Sequence, residues 1–191
     1  MPFGVIVSQQ RWYLKRLYRF PIAFLLYNLK YVLPFSTLRS VYLALTESYI
    51  LYEILAWGNA TNTYIQQVRM LQTKILRRMI PVNRTNVLND ADVYAFCGVL
   101  PVDLIFEYRL LLKFYFSDNY NCFKSTEVST RARIQGVFKV PSHKNKDGKR
   151  TIEYCVSTLY NQLPVNIRNL NNYKIIKSEL NRFLHSKLKG L

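Results

Sequence analysis

Apolar residues recur along this chain at three- and four-residue intervals more often than they alternate, and that periodicity predicts a helical protein. A first helix is expected from Gln9 to Val32, bent at Pro21. Pro34 and Ser36 then punctuate the chain, and Ser36 is placed as the N-cap of a second helix running to Trp57. Leu38, Tyr42, Leu45, Tyr49 and Tyr52 form its apolar stripe, and Gly58-Asn59 ends it. The third helix, Thr63 to Ile80, has the cleanest pattern. Ile65, Val68, Gln72, Ile75, Leu76 and Met79 fall on one side; Arg69, Lys74, Arg77 and Arg78 fall within the opposite half. Pro81 stops it. A short helix should run from Asn89 or Asp90 to Gly98, and Pro101 should open another through Phe116.

The texture changes at Ser117. Asp118, Asn119, Asn121 and Ser125 mark a loop. Ile134–Val140 and Thr151–Val156 alternate apolar with polar positions and predict two short strands. Between them the run from Lys144 to Arg150 reads as a basic hairpin tip. Leu163-Pro164 breaks the chain again. Asn171 or Asn172 caps a last helix, with Tyr173, Ile176, Leu180 and Leu184 on one face and Lys174, Lys177, Arg182 and Lys187 outside it. The expected fold is mainly α: a bundle of about five or six helices, with a short β-hairpin in the C-terminal third. Three regions follow: 1–33, a basic and apolar N-terminal helix; 34–116, helical; and 117–191, basic, with the hairpin and the final helix.

Composition agrees with a packed core, since 50% of the residues are hydrophobic and 15% aromatic. Charge adds a partner class. The chain carries 27 Lys and Arg against 11 acids, a formal charge of +16. The excess concentrates in residues 121–191, which hold fourteen Lys/Arg and four acids. Such a field attracts phosphate backbones first and anionic membrane surfaces second. The candidate phosphate-contacting residues are Arg69, Lys74, Arg77 and Arg78 on the third helix, Arg131 and Arg133 beyond the loop, and Lys144, Lys146, Lys149 and Arg150 at the tip.

Catalytic patterns are missing. Asp90-Ala91-Asp92 is the one close Asp pair, and it stands where carboxylates cap a helix and complement its dipole. The two histidines, His143 and His185, have no GxSxG partner motif, and no Gly-rich phosphate loop exists. Cys97, Cys122 and Cys155 are scattered, with no CxxC pair, so neither a disulfide framework nor a zinc site is expected. A reducing intracellular compartment, cytoplasm or nucleus, fits that usage. Phe20–Tyr27 is apolar, but Asn28 and Lys30 interrupt it well short of the roughly 20 apolar residues that span a bilayer. An amphipathic or core helix is expected there.

Several segments resemble the non-LTR retrotransposon reverse transcriptases of the jockey kind. Leu38-Arg39-Ser40-Val41-Tyr42 through Tyr52-Glu53-Ile54-Leu55-Ala56-Trp57-Gly58-Asn59-Ala60 resembles their LYxALxxSxLxYGIxxWGNA stretch. Val68 to Arg77 is similar to their LQxxxLRxI segment, and Gly98-Val99-Leu100-Pro101-Val102 to their LGxLPL turn. Thr130-Arg131 and Leu159-Tyr160-Asn161-Gln162-Leu163-Pro164 resemble a TR…LWNSLP block, and the closing helix, with Lys177 and Phe183, resembles FKKxLKxxL. The blocks keep family order and cover about Asn28 to Leu188. Glu53 stands where the family has Gly, and Tyr160 where it has Trp.

In that family this region follows the palm, as thumb and C-terminal segment. The resemblance implies a thumb-like region at 34–116 that contacts template RNA and the RNA–DNA duplex, with the palm as a further partner. It implies that the catalytic Asp-Asp motif, and the Mg²⁺ it binds, lie upstream. This chain alone is then expected to be no enzyme and to hold no cofactor or small-molecule substrate. Two other readings stay open: a basic helical protein lying on a membrane surface, which the leading reading leaves out as a partner, and a structural remnant without biochemical role.

Overall fold

A computed structural model describes residues 22–52, 54–81, 87–115, 138, 140–145, 147–170 and 172–189. Helices α1 (Ile22–Leu29) and α2 (Phe35–Tyr42) come first. A π-helical turn, Leu43–Glu47, leads into α3 (Ser48–Leu51), and α4 (Ile54–Trp57) follows. Next are α5 (Asn62–Met79), α6 (Asp90–Cys97) and α7 (Val102–Tyr115). A 3₁₀ turn, Gly148–Arg150, precedes α8 (Ile152–Gln162), α9 (Val165–Arg168) and α10 (Tyr173–Lys189). The chain divides into two compact units, one of residues 1–106 with 185–191, the other of residues 107–184.

In the first unit α5 is the central element, with α1, α2 and α6 packed on it. The apolar stripe on α5 is buried as its periodicity requires: Ile65, Val68, Gln72, Ile75, Leu76 and Met79 are all inside. Pro81 ends the helix. Ile80, immediately before it, takes an extended conformation with ψ 142°, because the proline ring disfavours αR at the preceding residue.

Gln72 organises the interior around this helix. Its Nε2 donates to the Tyr42 hydroxyl at 3.0 Å and to the Leu100 carbonyl at 2.9 Å. Its Oε1 accepts from the Val102 amide at 3.0 Å and from the Tyr94 hydroxyl at 3.2 Å. Both donors and both acceptor sites of the amide are therefore used, which makes a fully buried Gln tolerable. One side chain thus ties α2, α5, α6 and the start of α7 together.

α6 begins and ends as capping chemistry dictates. Asn89 Oδ1 accepts from the Asp92 amide at 2.8 Å. Gly98 adopts a left-handed φ of 62°, and Val99 N donates back to Tyr94 O at 3.1 Å. The last carbonyls are then met by Arg39, whose Nε donates to Cys97 O at 2.8 Å and whose Nη2 donates to Gly98 O at 2.9 Å.

The second helix departs from the expected form. Ser36 is not its cap: the helix starts at Phe35, with Pro34 in the cap position at ψ 153°. The helix is also not continuous to Trp57. The π turn at Leu43–Glu47 inserts one residue and rotates everything after it by about 100°. The buried stripe therefore reads Leu38, Tyr42, Thr46, Ile50 and Ile54, while Leu45 and Tyr52 are exposed. Tyr52 leaves helical geometry at ψ 119°, and its carbonyl accepts from Trp57 Nε1 at 3.1 Å.

In the second unit the expected β-hairpin is not formed. Thr151–Val156 lies at the N-terminus of a helix, α8, and no strand occurs among the described residues. Ile152, Tyr154 and Val156 do alternate, but three positions are too few to set a period. The longer spacing Val156, Tyr160, Leu163 is helical, and all three are buried, with Ser157 beside them. Thr151 caps α8, its hydroxyl accepting from the Tyr154 amide at 3.4 Å. Of Ile134–Val140, only Phe138 and Val140 are described. Asn161 holds Phe138 from both sides of its peptide, accepting from Phe138 N and donating to Phe138 O, each at 2.9 Å. Tyr160 adds a ring contact, 4.4 Å between centroids. On α10 the expected face is buried at Ile176, Leu180 and Leu184, whereas Tyr173 is exposed. Asn172 caps it, accepting from Lys174 N at 3.0 Å.

Candidate nucleic-acid interface

The four cations of α5 separate into two pairs. Arg69 and Arg77 turn toward neighbouring acids. Arg69 Nη1 lies 3.2 Å from Asp103 Oδ2. Arg77 Nη2 lies 2.8 Å from Asp90 Oδ1 and donates to Leu88 O at 3.1 Å, fastening the start of α6 to the end of α5. Asp90 is thus used in packing, as a first-turn carboxylate. Lys74 and Arg78 are exposed and carry the outward positive charge of α5. They stand four residues apart, or about 6 Å along the axis, on one side of the helix.

A cation on α1's end joins them. Lys30 Nζ lies 4.4 Å from the centroid of the Tyr27 ring and 5.2 Å from that of Tyr31. Arg78 Cζ lies 5.5 Å from the same Tyr27 ring. The two tyrosines meet edge to face at 5.7 Å, and Tyr31 OH donates to Tyr27 OH at 3.3 Å. That hydrogen bond is the first cause raising the Tyr27 hydroxyl above its ordinary pKa of 10.0. Sequence reading passed over Tyr27, Lys30 and Tyr31 as part of a core or amphipathic helix. Their i, i+3, i+4 spacing was visible, but the approach of Arg78 from another helix was not.

The basic tip survives as a turn rather than a hairpin end. Lys144 and Lys149 are exposed, and Arg150 Nη1 pairs with Asp147 Oδ1 at 3.2 Å. Arg131, Arg133 and Lys146 lie outside the described residues. On α10, Lys174 and Lys177 are exposed, and Arg182 Nη1 lies 2.7 Å from Glu179 Oε1.

Among the described residues no group of three or more His, Cys, Asp or Glu is placed to hold a metal ion. No helix among them is long and apolar enough to cross a membrane. No protein family, curated protein or solved structure matches this chain.

Proposed function

We propose that this chain is the C-terminal, thumb-like part of a non-LTR retrotransposon reverse transcriptase, which grips template RNA and the RNA–DNA duplex while an upstream palm performs the chemistry. The observation that carries the reading is the division of labour among the cations. Arg39 and Arg77 build the helical frame. Lys74 and Arg78 remain exposed on α5, and Lys30, half-buried, stands just past the end of α1. A helical frame with outward cations on one side suits a phosphate backbone, which it meets without reading bases.

The resemblance supports the same reading from another direction. Arg39, Gln72, Arg77, Gly98 and Asn161 all fall inside the blocks that resemble the family. Each closes a junction between elements. Those blocks then describe an architecture, and the polyanion affinity comes from the charges around it. In this account the chain has no catalytic residue of its own, needs Mg²⁺ only through the palm, and works inside the cell.

A second reading is favoured by the exposed apolar residues Phe24, Leu25 and Val32 on and just after α1, which suit a membrane surface. Two assays on the full chain separate the readings: gel shift with an RNA–DNA duplex, and flotation with vesicles containing anionic lipid. The polymerase reading expects a shift at low salt that Phe24→Ser/Leu25→Ser leaves in place. Flotation abolished by that pair, with no duplex shift in any form of the protein, would support the membrane instead.

A further inference from the structure

Two like charges, one just past the end of α1 and one on α5, meet at one aromatic ring in the first unit. Lys30 Nζ and the Arg78 guanidinium both lie against Tyr27, at 4.4 Å and 5.5 Å from its centroid. Bringing two cations together costs electrostatic energy. The negative face of a tyrosine ring offsets part of it. Among the described residues no carboxylate is recorded against Lys30 or Arg78. The described residues therefore place no neutralising carboxylate at this corner.

We propose that the corner between the end of α1 and the last turn of α5 is a phosphate clamp, in which Lys30 and Arg78, held by Tyr27, seat one phosphodiester of the bound nucleic acid. This rests on the function proposed above and names its contact point. The corner is rigid because α1 packs on α5, and because Leu26, beside Tyr27, is fully buried. The Tyr31 hydroxyl donates to that of Tyr27, which ties the two rings together at this corner. Lys74, one turn back along α5 on the exposed side, extends the track to a neighbouring phosphate. The Tyr27 ring is already engaged by the cations, which assigns the site to the backbone rather than to a stacked base.

The test is binding of a fluorescent RNA–DNA duplex by anisotropy across a salt series, using the full chain. Lys30→Gln/Arg78→Gln should weaken binding at least tenfold and lower the steepness of the salt dependence by about one counterion, for the one phosphate no longer neutralised. Lys177→Gln/Arg182→Gln removes the same net charge from α10 and serves as the control. It should change affinity less than threefold. Tyr27→Leu should weaken binding about threefold or more with no change in charge, and Tyr27→Phe should not. Each variant is checked for an unchanged far-UV spectrum and melting temperature, and Lys30→Met/Arg78→Met replaces the glutamine pair if that one fails to fold. Equal losses from the clamp pair and the control pair would overturn the clamp and leave general polyanion binding standing. Loss of binding to anionic vesicles with duplex binding intact would also overturn it. Absence of duplex binding by the unaltered chain at low salt would remove the proposed function, and the clamp with it.

Discussion

The side chain of Gln72 donates to the carbonyl oxygen of Leu100 at 2.9 Å, joining the middle of α5 to the segment that opens α7. The same amide also accepts from Val102 N, and both groups are buried. Gln72→Leu fills the volume but leaves a buried carbonyl and a buried N–H without partners. It should destabilise the protein by about 3 kcal/mol, the usual cost of orphaning two backbone groups. Urea unfolding followed by circular dichroism measures it, and a loss below about 1 kcal/mol would contradict the hub.

Two glycines answer to different constraints. At Gly98 a Cβ meets Arg39 no closer than 3.6 Å, so space is ordinary, but φ is 62°. Gly98→Ala should cost about 1–2 kcal/mol from the left-handed backbone alone. At Gly58 a Cβ comes within 2.9 Å of two atoms of the Phe106 ring and of the Ile54 carbonyl oxygen. That oxygen is backbone and cannot step aside, so Gly58→Ala should cost about 3 kcal/mol. Melting temperatures should therefore fall further for Gly58→Ala than for Gly98→Ala.

Asn161 holds Phe138 by giving one hydrogen bond and taking one. Asn161→Asp keeps the acceptor and loses the donor, setting a carboxylate against the Phe138 carbonyl. It should destabilise the second unit by about 2 kcal/mol at pH 7, and no less than Asn161→Ala. A protonated carboxyl regains the donor. The Asp variant should therefore recover stability as pH falls, opposite to an ordinary ion-paired carboxylate. Thermal melts at pH 7 and pH 4.5 make the comparison.

Alkali should unfold the first unit from inside. Burial pushes the Cys97 thiol from its ordinary 9.0 up to about 12, and raises the buried hydroxyls of Tyr42 and Tyr94 above 10.0 as well. These groups hold their protons longer when folded. Between pH 9 and pH 12 the unfolded chain loses protons first, so stability, intact below pH 9, declines through that range. Chemical denaturation from pH 7 to pH 11 reads this out. In the same buffers Cys97 should resist thiol reagents until the protein unfolds.

Much of the helical layout was legible because it rests on local rules. The α5 stripe, the helix start at Asn89 or Asp90, its end at Gly98 and the stop before Pro81 each follow from a few neighbouring residues, although the cap proved to be Asn89 and not an Asp90 or Asp92 carboxylate. The failures have non-local causes. The π turn after Tyr42 shifts the buried register to Thr46 and Ile50, and no simple period announces an inserted residue. The hairpin failed because the alternating window ended at Val156, one turn before the helical spacing became visible. On the interface, charge counting marked all four cations of α5 alike. It could not separate Arg69 and Arg77, which meet Asp103 and Asp90, from Lys74 and Arg78, which stay exposed. Nor could it bring Lys30 to Tyr27's ring beside Arg78, a meeting set by the packing of α1 on α5.

The central claim is that this helical chain grips nucleic-acid backbones through its outward cations. The most direct test is the affinity of the full chain for an RNA–DNA duplex, measured from low to physiological salt. Binding at low salt, insensitive to sequence, is expected. The logarithm of affinity should fall linearly against the logarithm of salt, with a slope of about −3 or steeper, corresponding to about four neutralised phosphates. A slope near zero, or no binding at low salt, would contradict it.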